Sequence, residues 1–461
     1  MVFYGLGNCI SIPLSKYWLE RFGPSRLIIV SLAVYTFFSI LCGLASTFFL
    51  FNAFRFGLGL GAGPFYLFCN RMIVEYAPEE KKGTYFTISM LLYSITPVVG
   101  ASFGAWLAYE NRWTWIFHCN EPASLFLAVY FWFAFRNLRP LSTESKPFDG
   151  VGFFFYSLGI AGILSALTLS QQIDWVRSTL FLALLVIGIP SLIFSIAWQV
   201  NHPHPILDFR LLRSPLFSFT LINLGILFST YFGIIILMAL WLNIYVNYTP
   251  LWIAALLGTM AVAGLIGFFL NRLWMEYLDA RVPLGLAIFF FFLSCLYSVH
   301  FNAEIDFIRI AAARFLAGLG LVLFLIPLFR LCLCSFNEER SAAAFTLFQT
   351  VRALSSSLGA GLFVILWQRR QVFFHERLGE SLTQSAPLTQ NYFQSAEGLF
   401  HLTPSQATAE LEVLLETQAT SLGLNDTFGF MAYLLAGLFF ILISSFFIKK
   451  LHAGIRGAVK L

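Results

Sequence analysis

The sequence predicts an all-α polytopic membrane protein that is built from two related halves. Its composition is the first indication, because 59% of the 461 residues are hydrophobic and 11% are charged, against about a quarter charged in an average soluble domain. The second indication is a series of apolar runs, each of the ~20 residues that a helix needs to cross a bilayer. The third is an internal repeat: the phrase RFGLGLG at residues 55–61 recurs as RFLAGLG at residues 314–320.

The apolar runs number about 13 and are continuous, whereas the strands of a membrane barrel alternate apolar and polar residues. Continuous runs favour helices, because lipid offers no partner for backbone polar groups and a helix satisfies them internally. The runs lie at residues 1–19, 27–45, 48–73, 84–108, 116–135, 151–170, 179–200, 216–245, 251–270, 282–300, 307–332, 342–367 and 428–448.

The repeat extends beyond the matched phrase and keeps a constant shift of 259 positions, as in Gly100 and Gly359. The related halves flank an extra pair of helices, and parallel repeats of this kind are found in transporters of the major facilitator type. The predicted domains are an N-terminal half (1–138), a cytoplasmic linker (139–150), the extra pair (151–200), a C-terminal half (201–448) with a periplasmic loop (369–427), and a cytoplasmic tail (449–461).

The basic residues predict how the chain is oriented. When successive loops are placed on alternate sides of the membrane, most of the 28 Lys and Arg residues fall on one side. The positive-inside rule assigns that side to the cytoplasm, together with the C-terminus. Because the charges follow the loops in this way, the net charge of +5 gives no indication of a nucleic-acid partner.

The repeat also predicts that the N-terminal half is one helix short. Arg314 lies in the fourth helix of its half, whereas Arg55 lies in the third. The chain opens on an apolar helix without the basic region of a signal peptide. We therefore expect about one further helix to precede Met1 in the complete protein, which gives six, two and six helices. The coding sequence upstream of codon 1 tests this expectation.

The loop at 369–427 is the largest predicted soluble element. Within it, Thr403 can cap a helix that has Pro404 at its first position and Gly423 near its end. This helix either packs as a lid on its own membrane domain or docks a partner protein. The seven cysteines lie in or beside apolar helices, and His202 and His204 have no further ligand at metal spacing, so no metal or disulfide framework is predicted.

Short motifs in a fixed order make the chain resemble the 14-helix branch of the drug:proton antiporters, and most closely the EmrB type of multidrug exporter. Two positions depart from the family pattern: Lys16 stands where the family has Gly, and Ala101 where it has Pro. The motifs are residues 8–14 with 20–26, Arg55 with Gly59, Pro97 with Gly100 and Gly104, 113–117 (WTWIF) with Asn120 and Pro122, 149–152 (DGVG), Glu276 with 279–281, Arg352 with Gly359, and 418–419 with 425–428.

The resemblance implies roles for two groups of residues. Acidic and basic side chains at the cytoplasmic helix ends would latch the two halves together: Glu20, Arg21, Arg26, Glu276, Asp279 and Arg281. Residues without bulky side chains, and one proline, would serve helix packing and gating, since small residues let membrane helices approach and slide: Gly59, Gly63, Pro97, Gly100, Gly104, Gly318 and Gly359.

Three arginines within apolar runs are candidates for a proton relay or charge network. Arg352 falls near the middle of its run, where a cation costs about 2.5–3.5 kcal/mol to insert and therefore indicates a function. Arg55 and Arg314 lie nearer the outer helix ends, so a guanidinium that reaches the interface is an alternative interpretation for both.

A cationic, aromatic cavity is the predicted substrate site. Its expected lining residues, besides Arg352, are Phe65, Tyr93, Asn120, Trp241 and Asn243. A positive charge in apolar surroundings favours hydrophobic weak acids or anions, because Coulomb attraction is less screened away from water.

Proton coupling needs a group that binds and releases a proton within the membrane, most simply a buried carboxylate. No predicted helix carries Asp or Glu in its middle. The family's first helix usually does, so we expect the coupling carboxylate upstream of Met1, near Arg55.

The predicted function is proton-driven export of hydrophobic or weakly acidic compounds across a bacterial inner membrane. The expected ligands are protons and an amphipathic small molecule, and the resemblance adds a periplasmic adaptor and an outer-membrane channel as partners. Two alternatives stay open: export of an endogenous metabolite or siderophore, and an inactive, truncated remnant. No cofactor is expected, and no nucleophile–base pair or acid cluster indicates an enzyme.

Overall fold

The computed structural model describes residues 2–110, 112–135, 147–170, 178–274, 279–334, 336, 338–383, 386–398 and 401–447. These residues form helices joined by short connections. The helices are α1 (Val2–Phe22), α2 (Pro24–Leu44), α3 (Phe48–Ala62), α4 (Pro64–Tyr76), α5 (Glu79–Glu110), α6 (Trp115–His118), α7 (Asn120–Phe135), α8 (Gly150–Leu169), α9 (Thr179–Asn201), a 3-10 helix (Phe209–Arg213), α10 (Pro215–Ile244), α11 (Pro250–Trp274), α12 (Arg281–Ser298), α13 (Phe307–Cys334), α14 (Glu338–Ser381), α15 (Pro387–Gly398) and α16 (Pro404–Phe447).

Ten helices in the described ranges are long and apolar enough to cross a membrane: α2, α5, α8 to α14, and α16. The other three predicted runs correspond to α1 and to two interrupted helices. The run at 48–73 is divided into α3 and α4, and the run at 116–135 into α6 and α7. Pro64 contributes to the first interruption, because a proline ring has no N–H to donate to the preceding turn.

The helices before and after the extra pair pack in the same pattern, and we call α1–α7 the N-terminal half and α10–α16 the C-terminal half. Helix α1 packs on α3 as α11 packs on α13, and α2 packs on α7 as α12 packs on α16. The repeated glycines allow the first of these contacts. A Cβ at Gly59 would lie 2.1 Å from the carbonyl oxygen of Tyr4, and one at Gly318 would lie 2.2 Å from that of Met260.

The two halves meet through reciprocal contacts, α1 with α14 and α5 with α11. Within the described residues, the Tyr231 hydroxyl of α10 also donates a hydrogen bond across this boundary, to the carbonyl oxygen of Ser94 in α5 at 3.1 Å. The extra pair is attached by Tyr156 of α8, whose hydroxyl donates to the carbonyl oxygen of Cys9 in α1 at 3.0 Å.

Asp149 anchors the extra pair α8–α9 at one end. Its Oδ1 atom accepts hydrogen bonds from the backbone N–H of Gly152 at 2.8 Å and from the indole Nε1 of Trp198 at 3.1 Å. The same carboxylate therefore caps α8 and holds α9 against it. Gln199 extends this end, because its Oε1 atom accepts from the backbone N–H of Leu207 at 2.8 Å.

The predicted loop at 369–427, between the last two predicted spans, is more helical than expected. Helix α14 continues to Ser381 and α16 starts at Pro404, and each contains 44 residues. The backbone N–H of Gln406 donates to Thr403 Oγ1 at 3.4 Å, as expected for a capping residue. The prediction that this helix ends near Gly423 is wrong. A Cβ at Gly423 would lie 2.8 Å from the backbone nitrogen of Gln371, so the glycine permits close packing of α16 on α14.

Candidate substrate site between the two halves

Arg352 lies on α14 at the boundary between the halves, and its side chain is only 6% exposed. Its guanidinium carbon is 4.3 Å from the ring centroid of Tyr66 and 5.7 Å from that of Tyr93, both in the N-terminal half. The ring of Phe228 in the C-terminal half lies 5.3 Å away. We call these three rings the aromatic cage of Arg352, and each contact of this kind contributes ~0.5–2 kcal/mol.

The polar contacts of Arg352 leave it a net cation. Its Nε atom donates to Gln349 Oε1 at 2.6 Å, one helical turn away on α14. None of the ion pairs among the residues that the structure describes involves Arg352. The site can therefore offer a buried positive charge to an anion.

Two residues of the cage, Tyr66 and Phe228, were not among the predicted lining residues. Tyr66 lies beside Arg352, whereas the predicted Phe65 packs against Tyr35 of α2 with ring centroids 5.9 Å apart. Adjacent residues on a helix differ by about 100° in direction, so Phe65 and Tyr66 have different neighbours. The edge-to-face contact of Tyr66 with Tyr93, at 5.1 Å, then completes one side of the cage.

The other predicted lining residues lie apart from the cage. Trp241 is fully buried and belongs to the main hydrophobic core. Asn243 is exposed near the end of α10. Asn120 is exposed as well, and its Nδ2 atom donates to the carbonyl oxygen of Ile116 at 3.1 Å. Of the five predicted lining residues, the structure thus brings Tyr93 into contact with Arg352.

Arg55 and Arg314, the repeated arginines, have matching environments. The guanidinium of Arg55 lies over the ring of Phe117 at 4.8 Å, and that of Arg314 lies over the ring of Phe428 at 5.2 Å. Arg314 also donates through Nη2 to the hydroxyl of Ser298. Because Arg314 is fully buried within the protein, its guanidinium does not reach out to the interface. These contacts lie within each half, so they indicate a packing role besides any role in charge transfer.

The predicted latch residues have mixed surroundings. Arg21 donates to the hydroxyl of Tyr17 on its own helix, and the backbone N–H of Arg281 donates to Asp279 Oδ1 at 3.2 Å. Glu20 lines a cavity of about 210 Å³ together with Lys16 and Arg340 of α14. The structure therefore places opposite charges from the two halves at one cavity. Arg26 is exposed, and Glu276 lies outside the described residues.

The glycines that were predicted to serve helix packing differ in how closely neighbouring atoms approach them. A Cβ at Gly63 would lie 2.0 Å from Ser11 Oγ, and one at Gly359 would lie 2.2 Å from the carbonyl oxygen of Ser229. At Gly104 the nearest atom would be 3.8 Å away, and at Gly100 there is none within 4 Å. Pro97 lies inside α5, one turn before Gly100.

An apolar cleft of about 680 Å³ lies between α10, α14 and α16. Its lining begins at Ser355, one turn along α14 from Arg352, and extends to Arg369, about four turns further. Most of the other lining side chains are hydrocarbon, such as Leu358, Leu362 and Phe430. A hydrophobic chain would therefore find apolar walls in this cleft, about one helical turn from Arg352.

The comparisons with known proteins agree with this architecture. Residues 1–360 match the model of the Major Facilitator Superfamily. The multidrug export protein EmrB of Haemophilus influenzae is 27% identical over 95% of this chain and 86% of its own length. EmrB of Escherichia coli K12 and the fatty acid resistance protein FarB of Neisseria gonorrhoeae are each 26% identical, over 98% of this chain and 88% of their own length.

Solved structures support the fold. A mutant peptide transporter of the POT family, solved in complex with sulfate, superimposes with a TM-score of 0.56 and 15% identity, over 99% of this chain and 86% of its own. A bacterial homologue of the human lysosomal transporter Spinster superimposes with a TM-score of 0.52 and 13% identity, over 97% of this chain and 90% of its own. The predicted family and fold are confirmed: this chain is a multi-pass membrane transporter, not an enzyme, and it belongs to the Major Facilitator Superfamily.

Proposed function

We propose that this transporter exports amphipathic anions, such as fatty acids and hydrophobic weak acids, from the cytoplasm across a bacterial inner membrane. One observation carries the proposal: Arg352 is a buried cation at the boundary between the halves, enclosed by aromatic rings and without an ion-pair partner among the described residues. In such surroundings a carboxylate gains more Coulomb energy than it would in water. The rings offer apolar surface to the rest of the molecule.

The relatives support this substrate class. FarB is named for resistance to fatty acids, which are amphipathic anions, and the EmrB proteins are named for multidrug export. The apolar cleft beyond Ser355 adds space for a hydrocarbon chain within one helical turn of Arg352. A substrate with its carboxylate near Arg352 and its hydrocarbon chain along α14 would occupy both the cationic site and the apolar cleft.

The position of Arg352 suggests how binding is coupled to alternating access. Its cage takes Tyr66 and Tyr93 from one half and Phe228 from the other. Rocking of the halves about this site would change the distance from Arg352 to the two tyrosines while leaving Phe228 in place. An anion at Arg352 therefore contacts different partners in the two states, which is the condition for a ligand to shift their populations.

Coupling to protons requires a titratable group within the membrane, most simply a carboxylate. Asp426 lies within α16, but it forms an ion pair with Arg370 outside the cage. We propose that export is coupled to proton movement, as the resemblance to drug:proton antiporters implies. Proteoliposomes that contain the transporter should then show substrate-driven proton flux, and the absence of such a flux would contradict this part of the proposal.

A periplasmic adaptor fits the helical extension formed by the ends of α14 and α16. Each helix of 44 residues is about 66 Å long, roughly twice the thickness of the hydrocarbon core. His375 Nε2 and Glu412 Oε1 pair at 2.9 Å and hold the two extensions together. Exposed apolar side chains on and beside this extension, Val413 of α16 and Leu388 of α15, are the surface that we propose for the adaptor.

A competition assay of efflux tests the proposed substrate class. It uses cells that express the transporter from its native locus, or membrane vesicles prepared from those cells. Efflux of a fluorescent hydrophobic weak acid is measured in the presence of laurate or of tetraphenylphosphonium, a permanent cation. Laurate should inhibit efflux at lower concentrations than tetraphenylphosphonium, because the cage presents a positive charge. The opposite order would rule out an anion site at Arg352.

A further inference from the structure

The side-chain amide of Gln349 is bonded at one end and unbonded at the other. Gln349 lies on α14, one turn before Arg352, and its side chain is fully buried. Its Oε1 atom accepts a hydrogen bond from Arg352 Nε at 2.6 Å. Its Nε2 atom has no hydrogen-bond partner among the residues that the structure describes. The Arg352 site therefore contains a second, unused donor beside the guanidinium.

The hydrogen bond to Arg352 fixes which end of the amide remains free. A guanidinium has donors and no acceptor, so the oxygen of the amide faces Nε, and the reverse orientation would bring two donors together. Nε2 is therefore the free end. A buried N–H group without an acceptor destabilises a protein unless water or a ligand satisfies it.

The internal repeat shows that packing does not need this amide. The constant shift of 259 positions pairs Gln349 with Met90, and Arg352 with Tyr93. Met90 is buried as well, at 1% exposed, yet its side chain has no hydrogen-bond donor. A hydrophobic side chain of similar length thus fills the equivalent position of the N-terminal half. This difference between the halves favours a role of the amide in binding over a role in folding.

A glutamine bonds Arg352 without cancelling its charge, whereas a glutamate at this position would neutralise the guanidinium. Nε is the atom through which Arg352 donates within the described part of the chain, so both Nη atoms are available to a ligand. An ionised carboxylate accepts hydrogen bonds and donates none. Because Nε and Oε1 are in contact, the two oxygens of one carboxylate can accept from Arg352 and from Gln349 together.

We propose that Gln349 determines the charge specificity of the transporter: its Nε2 atom donates to the anionic group of the substrate, while its Oε1 atom holds Arg352 in place as a cation. The inference rests on the proposed function, because it requires an anion at Arg352. The substrate class that this pair selects is a carboxylate with a hydrophobic tail. An ammonium group or a permanent cation offers no acceptor to Nε2 and is repelled by Arg352.

Binding to the purified transporter tests this role. Radiolabelled laurate and radiolabelled tetraphenylphosphonium are bound to the protein in detergent, and the dissociation constant of each is measured by scintillation proximity. The ratio of the two constants does not depend on the amount of folded protein. A preference of the unchanged protein for tetraphenylphosphonium would overturn the proposed function and this inference together.

Gln349→Glu should remove the preference for anions. The ratio of the dissociation constant of laurate to that of tetraphenylphosphonium should rise about tenfold or more, because the new carboxylate pairs with Arg352 and the donor is lost. Gln394→Glu is the matched control, because Gln394 is exposed on α15 and adds the same charge away from the cage. If the unchanged protein prefers laurate and Gln349→Glu keeps its ratio, the role of Gln349 is overturned and the proposed function stands.

Gln349→Met introduces the residue of the repeat mate, so the fold should accommodate it. The dissociation constant of laurate should rise about tenfold, because a hydrogen bond to a charged group is lost, and that of tetraphenylphosphonium should stay the same. Asn271→Leu is the control, because it removes a buried amide of α11 whose Nδ2 atom donates to the carbonyl oxygen of Val322 at 3.3 Å. Unchanged laurate binding in Gln349→Met would overturn the proposal.

A final comparison separates donation by Gln349 from positioning of Arg352. Arg352→Lys keeps the charge but lacks the guanidinium that Gln349 holds. Adding Gln349→Met to Arg352→Lys should still raise the dissociation constant of laurate about fivefold or more, because the donor to the carboxylate is lost. No further increase would mean that Gln349 acts only through the guanidinium, and the donor role would be overturned.

Discussion

The guanidinium of Arg352 lies 4.3 Å from the centre of the Tyr66 ring, across the boundary between the two halves of the protein. This contact joins a cation of α14 to an aromatic ring of α4. The charge of Arg352 and the ring of Tyr66 can be changed separately by substitution, so the contribution of each can be measured.

Removal of the charge should abolish transport of anions. We expect Arg352→Gln to lower efflux of a hydrophobic weak acid at least about tenfold, while Arg352→Lys retains part of the activity, because an ammonium group keeps the charge. The assay is efflux from loaded vesicles. Arg309→Gln is the matched control, since Arg309 is exposed and its pairing with Asp306 is long, at 3.9 Å. Full activity in Arg352→Gln would show that the anion binds elsewhere.

The ring of Tyr66 should matter more than its hydroxyl. Tyr66→Phe keeps the cation–π contact, and we expect a KM close to that of the unchanged protein. Tyr66→Leu removes the contact, worth about 1–2 kcal/mol at a desolvated site, and should raise KM by roughly 5–30-fold. Both values come from initial rates of efflux. Equal KM values for the two variants would contradict a role for the ring.

Ser298 should stabilise the fold through Arg314. The Ser298 hydroxyl accepts from the buried guanidinium, and loss of a hydrogen bond to a charged group costs about 1.5–3 kcal/mol. Ser298→Ala should therefore lower the midpoint of thermal unfolding in detergent. Ser444→Ala is the control, because Ser444 is exposed and bonds to the Phe440 carbonyl of its own helix. An unchanged midpoint in Ser298→Ala would mean that Arg314 finds another partner.

Asp149 should stabilise the extra helix pair. Asp149→Ala removes the acceptor for both Gly152 N–H and Trp198 Nε1, and the loss of the cap alone costs about 0.5–2 kcal/mol. Asp149→Asn keeps an oxygen acceptor and should be close to the unchanged protein. Limited proteolysis of the α8–α9 segment checks both variants, and equal cleavage rates for the two would argue against the cap.

Much of the fold follows from hydropathy and from the repeat, because these features reflect the membrane and the pairing of related helices. The repeat also pointed to Gly59 and Gly318, which make equivalent close contacts in the two halves. The aromatic cage was harder to predict. Tyr66 follows an interruption that hydropathy does not mark, and Phe228 is one of 54 phenylalanines, most without a distinguishing neighbour in sequence.

The ends of α14 and α16 could not be predicted from apolar length either. Residues 369–381 are rich in polar side chains, which hydropathy assigns to a loop, yet they continue the helix. Their helical state is held by tertiary contacts such as Arg370 with Asp426 and Gly423 with the α14 backbone. Contacts between residues so far apart in sequence leave no local signal.

The length of α14 has a mechanical consequence. Arg352 and Ser381 belong to one uninterrupted helix, so about 43 Å separates the caged guanidinium from the far end of the rod. A tilt of about 10° around Arg352 would swing that end by roughly 8 Å, and the pairs that join α14 to α16 would carry the second rod along. Through such a tilt, occupancy of a site buried in the bilayer would become a displacement large enough for a protein outside the bilayer to sense.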